Sequence, residues 1–277
     1  MLSTVSAFDW NDDIVSYYKL DNNNFSDELG VNDGTNDGTT NTSGILVDGR
    51  LFDGLANSIQ LPTATYGYAA TQELTVNAWG NTSDIDGIRT LINFNGIGGS
   101  ALPSFTMNML GDGTFQVGAW DQASPEGSTG NRTNSITNGY NDNNWHMYTL
   151  TVDTSIDNIS LYVDGVYQNS SVFSGDLYEG TNTNWIGSEH DTKNWWNGSI
   201  DEIGIWNRGL NSTDIRDLYN FGNALNYGDN TTIIIDSTVT LHSPINDTTI
   251  SDVGTNFTAI FNISGSNLSN YVWKNGT

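Results

Sequence analysis

Apolar and polar residues alternate with a period of two over short runs along most of this chain. That alternation belongs to half-buried strands, since successive side chains of a strand point to opposite faces. Residues 14–20 predict the first strand, and 58–61, 73–80, 89–95, 104–110 and 114–120 continue the series. The clearest alternation spans 145–153, where His146, Tyr148, Leu150 and Val152 share one face. Residues 158–163 place Ile159, Leu161 and Val163 together and run into Asp164-Gly165. That pair tolerates positive φ at both central positions of a two-residue hairpin, so 166–169 is expected to return as the partner strand. Residues 184–187 and 198–207 complete the set, the last with Ile200, Glu202, Gly204 and Trp206 on one face and Asp201, Ile203 and Ile205 on the other. Only 211–219 carries a helical pattern: capping residues open it, and Ile215, Leu218 and Tyr219 recur at helical spacing.

The fold class predicted is therefore all-β, a two-sheet antiparallel sandwich with one short C-terminal helix. Residues 1–13 read as an N-terminal extension, 14–222 as the main domain, and the polar segment 223–232 as a linker. Residues 233–277 read as a second β unit, with strands at 233–235, 239–241, 255–263 and 271–273. It is about half an immunoglobulin-like sandwich in length, so it is expected to be truncated or completed by another chain.

Composition narrows the function. The 277 residues include 36% hydrophobic and 11% aromatic side chains, enough for a sizeable core. Only 8 Lys and Arg face 32 Asp and Glu, a net charge of -24. Such a surface is a poor partner for nucleic acid, which needs clustered cations, and an anionic bilayer would repel it. No apolar run reaches membrane-spanning length, so no membrane insertion is expected within the chain. The absence of cysteine excludes disulfides, thiolate metal sites and cysteine nucleophiles. About fourteen Asn-X-Ser/Thr triplets, among them those at Asn24, Asn81, Asn131, Asn158, Asn197, Asn246 and Asn262, suit a secreted or surface glycoprotein. The opening residues lack a signal-peptide pattern, so a removed leader or a boundary there is expected.

Several segments together resemble a known family. "VSYYKLD" at 15–21, "NDGT" at 32–35 and "GRLFDGLANSIQLP" at 49–62 occur in order with "ELTVNAWG" at 73–80 and "NNWHMYTLTVD" at 143–153. "ISLYVDGV" at 159–166 and "WNGSIDEIGIWNRGL" at 196–210 close the series. Over residues 14–221 the chain is similar to the LamG-like, concanavalin A-like (pentraxin-like) jelly-roll domains of microbial surface proteins. "TLHSPINDTTI" and "FTAIFNISG" beyond it resemble the start of an immunoglobulin-like repeat. The resemblance implies a jelly roll whose rim loops set specificity.

Enzymes share that fold, so carboxylate pairs matter. A retaining glycosidase needs two carboxyl groups about 5 Å apart. The family's glucanase branch carries them as E-x-D-x-x-E, and no glutamate here stands in that pattern. Asp201-Glu202 are adjacent, which on a regular strand sends them to opposite faces. His146, His190 and His242 lie in unrelated contexts, with His146 expected to pack on an apolar strand face. The chain is therefore read as a non-enzyme. The Asp-rich loop 27–33 offers oxygens of the kind that calcium, with about six to eight ligands, takes. The resemblance implies a structural calcium there, with Asp27 and Asp201 as carboxylate ligands and Asn32 as a further oxygen. Sugar faces stack on indole and phenol rings, and Trp120, Trp195 and Tyr178 are the candidates read as exposed, whereas Trp145, Trp196 and Trp206 fall in core motifs.

The function expected is an extracellular or cell-surface binding or adhesion module that recognises a glycan or a surface protein. Two alternatives stay open: an architectural spacer or filament subunit, self-associating through sheet edges as a homo-oligomer, and a non-catalytic accessory domain of a glycan-active enzyme.

Overall fold

The computed structural model describes residues 3–6, 9, 12–63, 66–95, 103–121, 130–180, 182–189, 193–228 and 232–235. In chain order the strands are β1 (Ser3–Ser6), β2 (Ile14–Tyr18), β3 (Thr35–Asp37), β4 (Thr40–Ser43), β5 (Asp48–Asp53) and β6 (Ser58–Leu61). After the single-turn helix α1 (Tyr68–Thr71) come β7 (Glu73–Asn81), β8 (Ile88–Asn95), β9 (Pro103–Leu110), β10 (Phe115–Trp120) and β11 (Gly130–Asn134). The series continues with β12 (Trp145–Asp153), β13 (Asn158–Val163), β14 (Val166–Val172), β15 (Asn184–Ile186) and β16 (Asn197–Trp206). Helix α2 (Ser212–Tyr219) and β17 (Thr232–Ile235) complete the described elements. The chain divides into two compact units, Trp10–Asp229 and a second made of Met1–Asp9 with Asn230–Thr277.

The larger unit is a sandwich of two antiparallel sheets. One has seven described strands in the order β11-β10-β9-β8-β15-β6-β3. The other runs β14-β13-β12-β7-β16-β5-β4, with β2 also paired to β16. Between them lies one apolar core. Ile59, Ile92, Phe94, Phe105, Met107, Phe115 and Val117 enter it from the first sheet, and Leu74, Val76, Tyr148, Leu150, Val152 and Leu161 from the second. Phe94 stacks on Phe105 at 4.4 Å, and Phe115 meets Tyr148 across the two sheets at 3.8 Å. Each large apolar side chain removed from water here contributes about 1.5–3 kcal/mol, so this core is what holds the two sheets together.

The predicted hairpin is present: Val163 pairs with Val166, and Asp164 and Gly165 both have positive φ. The predicted helix is also present, with Asn211 accepting from the backbone of Thr213 and Asp214 in a reciprocal capping box. Helix α2 and the chain after it lie on the outer face of the eight-stranded sheet. Trp79 stacks on Tyr219 at 5.6 Å, Tyr17 on Tyr227 at 5.0 Å, and Thr75 Oγ1 donates to the Arg208 carbonyl at 2.8 Å.

One strand departs from its predicted pattern. In β16 the core residues are Ile200, Ile203 and Ile205, because a bulge between Asp201 and Gly204 inserts a residue, with Glu202 at φ 48°. Regular alternation would send Asp201 and Glu202 to opposite faces; the bulge places both on the side away from the core. The two halves of β16 also change partners, from β5 at 197–200 to β2 at 203–206.

In the smaller unit β1 pairs antiparallel with β17, Thr4 opposite Ile234. Ser3–Ser6, which falls in the expected N-terminal extension, is thus a strand partner of the segment after the linker. The strands expected at 239–241, 255–263 and 271–273, and with them most of the immunoglobulin-like expectation, lie outside the described residues.

Candidate functional site

With α2 covering the eight-stranded sheet, the outer face of the seven-stranded sheet is the surface on which side chains other than core residues gather. Its register places one row across all seven strands: Thr35, Gln60, Trp185, Asn93, Thr106, Gly118 and Arg132. Their chain neighbours Ile59, Ile186, Ile92, Phe105 and Val117 point into the core, so alternation turns this row outward. A second row runs through Thr90, Asn108, Gln116 and Asn134. Adjacent strands lie about 4.8 Å apart, so Trp185 and Arg132, four strands apart, span about 19 Å.

The floor of this face is small and polar. Thr90, Asn93, Ser104, Thr106 and Asn108 are buried, while Trp185 is half-buried and Gln60, Arg132 and Asn134 are exposed. Asn108 Oδ1 accepts from Thr90 Oγ1 at 2.9 Å and from Thr106 Oγ1 at 3.2 Å, which orients its amide group. Gln116 Nε2 is held by Asn134 Oδ1 at 2.9 Å. An aromatic side chain beside oriented amides and hydroxyls is the arrangement that takes a polyhydroxylated ligand with apolar C–H faces.

The three aromatic residues singled out from sequence all reach this face. Trp195 is half-buried beside Thr90, whose backbone N–H donates to Asn194. Its indole Nε1 is enclosed and has no hydrogen-bond partner among the described residues. Tyr178 is half-buried at the other end, where its carbonyl accepts from Ser104 Oγ at 2.8 Å and its hydroxyl donates to Asp176 at 3.4 Å. Trp120 differs from expectation: it is only 6% exposed. Gly118 on its own strand and Gly130 opposite it carry no side chain, and the indole fills that space. A Cβ at Gly130 would lie 1.9 Å from Trp120 Cδ1, and one at Gly118 2.5 Å from Cη2. The Arg132 guanidinium lies over the ring at 4.8 Å from its centroid. Of the tryptophans expected in the core, Trp196 and Trp206 are fully buried and Trp145 is half-buried at its strand end.

The residues expected around calcium fall into two networks. Asp27 is buried and accepts from four donors: the Tyr17 N–H, the Leu29 N–H, the Asn32 N–H and Ser16 Oγ. Asn32 shares that network, its amide donating to Ser16 Oγ and its carbonyl accepting from Tyr18 Oη; its Oδ1 is buried without a partner among the described residues. Asp201 instead accepts from the Ile45 N–H at 2.8 Å and the Glu202 N–H at 3.0 Å. Among the described residues no three His, Asp or Glu side chains gather around a common point. Asp27, filled by donors, does not fit as a ligand. Asp201 fits better: a Cβ at Gly44 would lie 2.4 Å from Asp201 Oδ2 and 2.3 Å from the Asp48 carbonyl, a cradle of two oxygens kept open by glycine. Burial raises the Asp201 carboxyl to about 8 and, with the charge of Asp201, raises Glu202 to about 9. Glu202 accepts from the Tyr17 hydroxyl. These two acids are enclosed and away from the seven-stranded face.

His146 follows the predicted strand face only partly. It stands beyond the core, its Nδ1 2.7 Å from Asp164 Oδ2 and its Nε2 3.2 Å from Asp142 Oδ1. Burial works against the charged ring, but the two carboxylates outweigh it and raise its pKa above the ordinary 6.5.

Sequence reasoning missed Asn93, Asn108 and Arg132, and it placed Trp185 in an aromatic stretch, 185–196, without singling it out. A usable signal for Trp185 was its place next to Ile186, whose inward direction turns the indole out; Arg132 sits on β11, too polar to show alternation.

A family model described as Laminin_G_3, concanavalin A-like lectin/glucanases superfamily, matches residues 52–216. No curated protein sequence matches the chain. Among solved structures, the binding domain of Paraclostridial Mosquitocidal Protein 1 aligns with a TM-score of 0.59 at 16% identity, covering 76% of this chain and 53% of that one. The botulinum neurotoxin serotype D binding domain gives 0.58 at 15%, covering 76% and 52%. Domain 4 of AbnA, a GH43 extracellular arabinanase from Geobacillus stearothermophilus, in complex with arabinotriose, gives 0.51 at 19%, covering 74% and 97%. The chain spans about half the length of the toxin domains it matches, and at these identities the likeness is one of fold. With more than half its length matched and a two-sheet sandwich as its larger unit, the chain belongs to the Laminin_G_3 family of the concanavalin A-like lectin/glucanases superfamily.

Proposed function

We propose that the jelly roll is a saccharide-binding module, working outside the cell or at its surface, that holds its ligand on the outer face of the seven-stranded sheet. The observation that carries this reading is the cross-sheet row in which Trp185 stands between Gln60 and Asn93. An indole there offers a flat apolar surface to a sugar ring, and the exposed Gln60 amide beside it offers a donor and an acceptor to its hydroxyls. The similar folds support it, since two are named binding domains and one was solved with arabinotriose. A glycan array followed by affinity electrophoresis tests it. Trp185→Ala should weaken retention at least about tenfold, the scale of a truncated aromatic anchor. Retention unchanged in that variant, or no saccharide bound by the folded protein, would overturn the reading. Concentration-dependent assembly without any ligand would favour an architectural role instead.

A calcium ion fits this reading as a stabiliser beside Asp201. The supporting observation is the Gly44 cradle, where the Asp201 carboxylate and the Asp48 carbonyl present oxygens of the kind calcium takes. Bound there, the ion would offset the charge of two enclosed carboxyl groups. Calcium added to chelated protein should raise Tm in the native chain and not in Asp201→Asn; an equal rise in both discards the site.

A further inference from the structure

We propose that the ligand of this face carries a carboxylate, as an oligosaccharide containing uronic acids does, and that Arg132 receives it. The inference rests on the saccharide reading above and adds the ligand's charge.

In a chain with 8 basic and 32 acidic residues, a cation is expected beside a carboxylate. Five of the seven described Lys and Arg side chains follow that rule. Lys19 pairs with Glu28 at 3.6 Å, Arg89 with Asp84 at 2.9 Å, and Lys193 with Glu189 at 3.0 Å. Arg208 pairs with Asp214 at 3.1 Å and Arg216 with Asp217 at 3.5 Å. Arg50 is buried, and its guanidinium donates to oxygens of Thr39, Asn23 and Asn41. Arg132 differs from all six. It is exposed, and among the described residues its guanidinium has neither an ion pair nor a hydrogen-bond acceptor.

That guanidinium is nevertheless held in place. One side of it faces the Trp120 ring, and the ring itself lies in the space left by Gly118 and Gly130. An arginine serving only solubility needs no such support. Contact with the ring restrains the guanidinium while leaving N–H donors free, and the planar fork of an arginine matches a carboxylate in two parallel hydrogen bonds. The position agrees with a saccharide bound further along: Arg132 and Trp185 lie in one row, about 19 Å apart at the ordinary strand spacing. The net charge of -24 does not oppose this at close range, since exposed charges more than about 8 Å apart are largely screened at physiological salt.

The test is calorimetric titration of the full chain with a panel of uronic-acid oligosaccharides, each paired with its carboxyl-reduced neutral counterpart. At least one pair should be discriminated about tenfold or more in favour of the acid. Arg132→Gln should abolish that preference while retaining the weaker binding of the neutral member, and Arg132→Lys, which keeps the charge but loses the fork, should fall between. Equal binding of acid and neutral members, or a preference untouched by Arg132→Gln, overturns the inference and leaves the saccharide reading standing. No binding of any saccharide by folded wild-type protein overturns both. Arg132 has no ion pair to lose among the described residues, only its contact with the Trp120 ring, so the melting temperature of Arg132→Gln should stay within a few degrees of wild type and verify that the variant is folded.

Discussion

Each sheet of the sandwich carries a Gly-x-Trp on the side away from the core: Gly118-Ala119-Trp120 in one and Gly204-Ile205-Trp206 in the other. In both, the indole folds back over the glycine two residues before it. Adding one methyl group tests what lies above each ring. At Gly204 the new Cβ would stand 2.3 Å from Trp206 Cη2 and 2.6 Å from Cζ3. Carbon atoms settle about 3.5–4.0 Å apart, so the ring must retreat by about 1 Å or more. Trp206 is fully buried, and close-packed surroundings leave it nowhere to go. Overpacking of this kind costs about 1–3 kcal/mol. In a unit of about 220 residues each kcal/mol lowers Tm by about 2–4 °C, so Gly204→Ala should melt about 2–12 °C below wild type. At Gly118 the clash is nearly as short, 2.5 Å to Cη2 and 2.8 Å to Cζ3, but the exposed Arg132 guanidinium is what lies over the ring. There the indole can lift by moving an arginine. Gly118→Ala should therefore lose less than about 1 kcal/mol, in the range of ordinary surface changes, while impairing the acid preference assigned to Arg132. Thermal unfolding followed by circular dichroism measures the first effect and calorimetric titration the second. Equal losses of stability in the two variants would refute the argument, as would a Gly204→Ala protein that melts with wild type.

The other predictions concern the remaining parts of the sandwich. Because its two carboxylate neighbours raise the pKa of His146, its stabilising contribution is full below the ordinary value near 6.5 and is lost as pH rises through the raised value. Urea titrations from acid to alkaline pH should show that loss in wild type and a flatter profile in Asp164→Asn; superimposable profiles would dismiss the pair as its cause. Asn211→Ala removes the acceptor for two helix N–H groups and should cost about 0.5–2 kcal/mol, read as a lower Tm. Unchanged stability would mean that α2 is held by packing alone. Ser188 Oγ is fully buried and has no hydrogen-bond partner among the described residues, so Ser188→Ala should leave Tm equal or higher, and a clear fall would refute that reading.

Much of this was legible without coordinates. The runs at 73–80, 145–153 and 158–163 alternate so regularly that their core faces follow from a period of two, and Asp164-Gly165 declares its hairpin through backbone chemistry alone. Helix α2 announces itself by its cap. These are local properties, set by side-chain direction and allowed φ within a few residues. Strands β3, β4 and β11 were not legible, because their residues are mostly exposed polar ones and their extended form depends on partners far along the chain.

The acids of β16 show where local reasoning stops. Asp201 and Glu202 alternate on paper, yet the change of partner from β5 to β2 inserts a bulge that turns both to the same side. The binding face shows the same limit. Trp185, Asn93, Thr106 and Arg132 are separated by up to 92 positions in sequence and become neighbours in one row through strand pairing. By itself the sequence determined an acidic, cysteine-free, all-β chain with its core pattern, its hairpin and its helix. Tertiary structure alone decided which sheet face α2 covers, which tryptophans fold over glycine, and which exposed arginine is left without an acid among the described residues. Those outcomes depend on register between distant strands, which no short stretch of sequence contains.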